Sequence, residues 1–174
     1  PIPREEAITS LLAVSEFNDD TDLLMLTQGG FIKRTRLSAF SNIRSNGLIA
    51  IGLEDGDALT WVRLSIPGDS VLIGSKAGMT IHFRLADGEL RPLGRTARGV
   101  RSMNLRKGDS LVSMDVLPAE LADQIAASAD EAEDGDDAGD VAETAVAAEG
   151  PWVLVASASG LGKRVPVTQF RLQK

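Results

Sequence analysis

Four arginines fall within eleven residues in RPLGRTARGVR: Arg91, Arg95, Arg98 and Arg101, with Gly94 and Gly99 among them and no acid. A guanidinium presents a planar fork of donors suited to phosphate oxygens, and glycine lets backbone amides approach the same group. The stretch therefore reads as a polyanion contact in preference to a loop with incidental charge. A second cationic run, Lys33, Arg34 and Arg36, follows the glycine pair of GGFIKRTRLSAF, and Arg44 lies a little beyond it. His82 and Arg84 stand at the matching place in SVLIGSKAGMTIHFR, and Lys163 and Arg164 in WVLVASASGLGKRV. Residues two apart on a strand share a face, so Arg34 and Arg36 take one side and Lys33 the other. Recurrence after successive turns favours a row of cations along an outer rim over the ordinary solubilising charge of exposed strands.

Other chemistries find little support. The single histidine, His82, has no cysteine or metal-ligand partner at a recognisable spacing and reads as an ordinary strand residue. Ser45-Asn46-Gly47 and Ser159-Gly160 are turn sequences and not nucleophile elbows. The GLGK of Gly160–Lys163 lacks the spacing and the following Ser or Thr of a phosphate loop. Asp55 and Asp57 share a turn, but Lys107 replaces the first of them in the related segment, which argues against a metal. Tyrosine is absent and aromatics make up 4% of the chain, so base stacking on an aromatic platform is disfavoured. Trp61 and Trp152 read as core residues. Binding through these arginines would be to a duplex backbone, weakly selective in sequence and sensitive to salt and bending.

The elements that must carry these cations are short strands punctuated by glycine. LLMLTQGGFIKRTR is two apolar-rich runs around a turn, and the same form recurs twice, placing Gly30, Gly78 and Gly160 in equivalent positions. A second unit repeats as well: SNGLIAIGLEDGDALTWV parallels ARGVRSMNLRKGDSLVSM, with Gly47 and Gly56 matched by Gly99 and Gly108. A period of about 50 residues, with about four strands each, is the signature of a blade-built toroid, in which each sheet needs its neighbours to bury both faces. The chain holds two nearly complete units and the start of a third.

The 174 residues are 43% apolar and contain no cysteine, which excludes disulfide and thiolate chemistry. No run approaches the ~18 apolar residues of a membrane span, and PIPREEAITS lacks a signal-peptide layout. A first residue that is proline and not methionine suggests a piece of a longer polypeptide. The net charge of −7 conceals an asymmetry: residues 119–150 hold eleven acids and no Lys or Arg. Setting them aside leaves 18 basic residues against 14 acidic ones (25 less eleven), a net of about +4. Within that segment PAELADQIAASADEAE reads as a helix, and the rest as disordered or marginally helical low-complexity sequence.

FIKRTRLSAFSNIRSNGLIAIGLEDGDALTWV, GRTARGVRSMNL with KGDSLVSM, and GLGKRVPVTQF together resemble the C-terminal domains of DNA gyrase A subunits, over about Ile8 to Gln173 apart from the acidic insert. The resemblance implies an all-β fold, a six-bladed β-pinwheel (propeller-like) with strand exchange between blades. About three blades are present here, so residues 1–174 would be part of one such domain and 119–150 an insert between blades. It implies a non-catalytic module that wraps double-stranded DNA around a basic rim and supports negative supercoiling. The resemblance also implies partnership with the gyrase B subunit, and with the rest of the gyrase A polypeptide, in an A2B2 complex. ATP and Mg²⁺ would act through other domains, no cofactor in this piece, and the setting would be the bacterial cytoplasm at the nucleoid with no membrane. The wrapping surface would comprise Lys33, Arg34, Arg36, Arg44, Arg84, the Arg91–Arg101 loop, Lys163 and Arg164. Topoisomerase IV carries a related disc without the Q-R-R-G-G-K-G gyrase box of the first blade. That box is not in this sequence, which on this reading starts at the end of blade one, so its absence does not discriminate, and the regular blades favour gyrase. A propeller-like protein-interaction scaffold is a further alternative, one that would be nearly indifferent to duplex DNA. The internal acidic run departs from the family pattern and reads as an electrostatic competitor of DNA for the basic rim, or as a solvated loop insertion.

Overall fold

The computed structural model of the chain describes residues 6–42, 45–86, 88–133 and 151–173. Its strands fall into three antiparallel groups that follow the sequence repeat. In the first, β1 (Asp22–Thr27) and β2 (Phe31–Arg36) form a hairpin and β3 (Leu59–Ser65) pairs with the far side of β1. The second unit repeats this with β4 (Ser70–Ser75), β5 (Thr80–Arg84) and, beyond the short β6 (Val100–Arg101), β7 (Leu111–Leu117). Helix α1 (Ala119–Glu133) follows, and the third unit is the hairpin of β8 (Trp152–Ala156) and β9 (Gly162–Pro166). Both three-strand arrays carry a register irregularity at the same place, between Leu26 and Thr27 in β1 and between Gly74 and Ser75 in β4. The repeat is thus structural down to a single residue.

The hairpin turns close alike. Gly30, Gly78 and Gly160 have φ of 88°, 82° and 82°, a region that costs a side chain and costs glycine little. Each donates its amide at 3.0 Å to the carbonyl three residues back.

The strand β6 belongs in sequence to the second unit but pairs with β2 of the first, Phe31 opposite Arg101 and Ile32 opposite Val100, giving the sheet order β3-β1-β2-β6. The units are therefore joined by exchanged backbone as well as by packing.

The run LLML in β1 is buried on both faces, which explains its unbroken apolar character. Leu24, Leu26 and Ile32 face Val71, Ile73, Leu85, Leu90, Leu111 and Met114 of the second unit, with Trp61 packed against them. Met25, on the other side of β1, meets Ile51 and Val62. The larger core lies between units, so neither sheet buries its apolar face alone. The helix α1 presses Ala122 and Ile125 inward, both buried, next to the 3₁₀ turn Val167–Gln169 of the third unit, where Val167 is also buried.

Candidate nucleic-acid interface

The strand exchange draws the Arg91–Arg101 segment along the edge of β2. From its start, Leu93 donates its amide to the Arg34 carbonyl at 2.7 Å, and at its end Ser102 donates to the Gly30 carbonyl at 2.8 Å. Between them Gly99, at φ 100°, comes so close that a Cβ there would lie 2.3 Å from the Ile32 carbonyl oxygen. That glycine serves the approach of one protein strand to another. A second bond, Gly52 amide to Ala97 carbonyl at 3.1 Å, ties the loop to the segment preceding β3.

Held this way, the loop presents Arg91, Arg98 and Arg101 as exposed residues and Arg95 as half-exposed. Arg98 and Arg101 both stack on the ring of Phe31, at 4.5 and 4.9 Å from its centroid. Such cation–π contacts fix a guanidinium plane while leaving its edge for an anion. Arg98 is also ion-paired with Glu54. Among the described residues, Arg91, Arg95 and Arg101 enter no ion pair. Next to them in sequence, Arg106 and Lys107 are exposed in the turn before β7. They are legible as KGD-turn cations and lie outside the set expected from the sequence.

The hairpin cations depart from expectation. The sequence puts Lys33 and Arg34 on the rim, whereas both are buried, at 0% and 1% exposure. The rule about alternate faces holds, but both faces of β2 are covered. Arg34 shares the inter-unit face with Leu24, its cross-strand partner, and there its Nε lies 3.3 Å from an Asp22 carboxylate oxygen. Its Nη1 donates at 2.5 Å to the Leu85 carbonyl of the next unit. Lys33, on the opposite face, donates to the carbonyls of Ala50 at 2.5 Å, Arg95 at 2.6 Å and Gly94 at 3.3 Å. Burial lowers its ammonium pKa from 10.5 to about 8. A buried charge is tolerable only with donors and acceptors matched in this way. Neither head group is presented to a partner.

Arg36 is half-buried, with Nη1 3.4 Å from Asp22 Oδ1 and donating at 3.0 Å to the Asp19 carbonyl. Arg84, also half-buried, meets Asp123 of α1 at 2.6 Å, so the first part of the acidic segment already occupies one expected contact. Lys163 and Arg164 are exposed, Arg164 lying 4.6 Å over the ring of Trp152. Trp152 itself is 41% exposed. Arg44 lies outside the described residues.

At the position of Arg34 the second unit has His82, buried between the Ser70 hydroxyl at Nε2 (2.8 Å) and the Phe170 carbonyl at Nδ1 (2.7 Å). The carbonyl partner requires the proton on Nδ1, so Nε2 accepts from Ser70. Burial depresses the His82 pKa, the Phe170 bond opposes that, and the Arg84 charge adds to the lowering. His82 and Arg34 thus do one job, each reaching a carbonyl of the following unit.

Asp57 and Asp109, in the two G-D turns, are structural residues whose role the sequence does not disclose. Asp57 Oδ1 accepts from the Gly29 amide at 2.7 Å, and Asp109 Oδ1 from the Ala77 amide at 2.9 Å, so each staples the tip of its own unit's hairpin. The Ser75 hydroxyl, 2.7 Å from Asp109 Oδ2, leads the interactions that hold this carboxyl below its usual range. Among the described residues no group of three potential ligands could hold a metal ion. No helix there is long and apolar enough to cross a membrane.

Antiparallel units that bury their cores against one another and trade an edge strand define a blade-repeat β-protein of the propeller-like, pinwheel class. A family model described as DNA gyrase C-terminal domain, beta-propeller, matches residues 21–65, 69–118 and 151–174, and the chain belongs to that family. The match passes over the acidic segment. The DNA gyrase A subunit of Synechocystis sp. is 56% identical over 99% of this chain and 20% of its own length. The chloroplastic/mitochondrial DNA gyrase A subunit of Arabidopsis thaliana is 43% identical over 95% of the chain and 16% of its own length. The chain thus spans about a fifth or less of these relatives. A solved DNA gyrase A C-terminal domain superposes with a TM-score of 0.64 at 25% identity, covering 92% of this chain and 43% of that one. A topoisomerase IV C-terminal domain superposes with a TM-score of 0.73 at 22% identity, covering 99% of this chain and 44% of the other, a likeness of fold.

Proposed function

We propose that the chain is part of the DNA-wrapping module of a gyrase A polypeptide, without chemistry of its own. The observation that carries this reading is the 56% identity to a DNA gyrase A protein over 99% of the chain. The exposed arginine loop supplies the physical means: Arg91, Arg95 and Arg101, with Arg106 and Lys107 beside them, are phosphate-binding groups on a backbone fixed by strand exchange. The parent is then an ATP-dependent type II topoisomerase that introduces negative supercoils. It works with a gyrase B subunit, and with the remainder of its own polypeptide, in an A2B2 complex. ATP and Mg²⁺ are held in other domains, and the setting is the bacterial cytoplasm at the nucleoid. The identity to gyrase A subunits favours this over a topoisomerase IV origin.

Wrapping has a topological signature that simple contact lacks. The full-length polypeptide containing this chain is bound to a relaxed plasmid, a nicking–closing enzyme is added, and the linking number is read after deproteinisation. Wrapping predicts a shift that grows with protein. It also predicts an affinity that falls roughly 10³–10⁵-fold between 50 and 200 mM salt if 6–10 phosphates are contacted. An unchanged linking number with salt-indifferent, weak affinity would instead identify a protein-interaction scaffold.

A further inference from the structure

The arginine loop and the β2 lysine belong to one device. Lys33 is fully buried, and all three of its bonds go to backbone carbonyls: Ala50 in its own unit, Gly94 and Arg95 in the loop of the next. The loop is a peptide whose side chains point away as phosphate ligands, so its backbone must be secured from behind. Leu93 and Ser102 anchor its two ends, on Arg34 of β2 and on Gly30 of the turn before it. Across Gly94 and Arg95, where no ladder bond is made, the Lys33 ammonium takes their place.

We propose that Lys33 is a positioning residue for the DNA-binding loop: its ammonium, bonded to Gly94 and Arg95, holds Arg91, Arg95 and Arg98–Arg101 at the surface and never meets phosphate itself. This rests on the DNA-wrapping reading for its functional half, and on geometry alone for its structural half. The second hairpin supplies a contrast. There Ile81 replaces the lysine by repeat position, while the other ties recur: the Gln173 amide donates to the His82 carbonyl at 2.7 Å as the Leu93 amide does to Arg34, and His82 reaches the Phe170 carbonyl as Arg34 reaches Leu85. The lysine is an added tie, set behind a segment rich in arginine.

The test uses the full-length polypeptide, unaltered and as Lys33→Met. In the unaltered protein, amine acylation at Lys33 should run at least about tenfold slower than at exposed Lys76 and Lys107, at a rate that duplex DNA leaves unchanged. Labelling as fast as at Lys107, suppressed by DNA, would overturn the proposal in favour of direct phosphate contact. In Lys33→Met, amide exchange over residues 93–102 should quicken about tenfold or more while β4, β5 and β8 keep their protection. The salt slope of DNA affinity should then drop by more than the ~0.9 that one lost phosphate contact explains, towards ~2.7 if Arg91, Arg95 and Arg101 all disengage. A drop of ~0.9 or less, or unchanged exchange in the loop, contradicts the positioning role. Should the unaltered protein show no salt-dependent affinity for duplex DNA, the wrapping reading fails, while exchange and acylation still decide the structural half. Should the methionine variant not fold, the acylation experiment decides alone.

Discussion

Gly99→Ala isolates the strand exchange from everything else. The added Cβ would sit 2.3 Å from the Ile32 carbonyl oxygen, 2.9 Å from its carbon and 3.0 Å from Lys33 Cβ. The first two are backbone atoms of a strand paired on both sides, so no rotamer change relieves the clash and β6 must move away. Gly108 is the natural control, with φ of 83° and nothing within 4 Å of a Cβ. Placing a side chain at positive φ costs about 1–2 kcal/mol, and Gly108→Ala should show that alone. Gly99→Ala adds the loss of the two-residue ladder between β2 and β6, at about 1 kcal/mol net for each hydrogen bond. Its total should be about 3–4 kcal/mol. Urea unfolding in a Trp152→Phe background, followed by the fluorescence of Trp61 at the core between the first two units, gives both values under identical conditions. Equal costs for the two variants, or a Gly99→Ala cost within about 0.5 kcal/mol of zero, would refute the argument that backbone contact at Ile32 fixes the loop.

Four further outcomes follow from the structure and the charge distribution. Because the His82 pKa is lowered on folding, its contribution to stability is present above pH 6.5 and is lost as the pH falls through the depressed native value. The urea midpoint should therefore decline on acidification below 6.5, with a smaller decline for His82→Gln. Asp57→Ala removes the acceptor for the Gly29 and Ala58 amides, at 2.7 and 2.8 Å, and should cost about 1–2 kcal/mol by urea unfolding, with amide exchange quickening at residues 28–30. Asp123→Asn frees Arg84 from a pair in which Asp123 is 70% exposed, so DNA affinity measured at low salt should rise by less than about fivefold. Deleting 134–150, which removes six acids while keeping the buried Ala122 and Ile125, should tighten binding more at low salt than at high salt, and equal affinity at all salts discards the competition.

The repeat is the most legible feature, because turn glycines and the G-D turns mark it in the sequence and each recurs at a fixed structural place. The strand exchange is not readable from the residues. Val100 and Arg101 form a two-residue strand whose partner lies about 70 residues back, and nothing local to GVR announces it. The arginine loop is recognisable by composition alone, and its exposure agrees. Lys33 and Arg34 escape the sequence reading for a definite reason: face alternation tells which residues share a side but not whether either side reaches water. In a sheet covered on both faces by neighbouring units, a cation can be an internal bolt, and the Asp22 opposite Arg36 on β1 is the one sequence cue to that. The helix read in PAELADQIAASADEAE is present as α1, and its buried residues are Ala122 and Ile125.

The central claim is that the exposed arginine loop binds the phosphates of duplex DNA. Its most direct test is the slope of log affinity against log salt for the full-length polypeptide and for its Arg91→Ala, Arg95→Ala, Arg101→Ala triple variant. The account predicts a slope shallower by ~2.7, about 0.9 for each arginine, with the loss uniform across DNA sequences. An unchanged slope and affinity in the triple variant would contradict it.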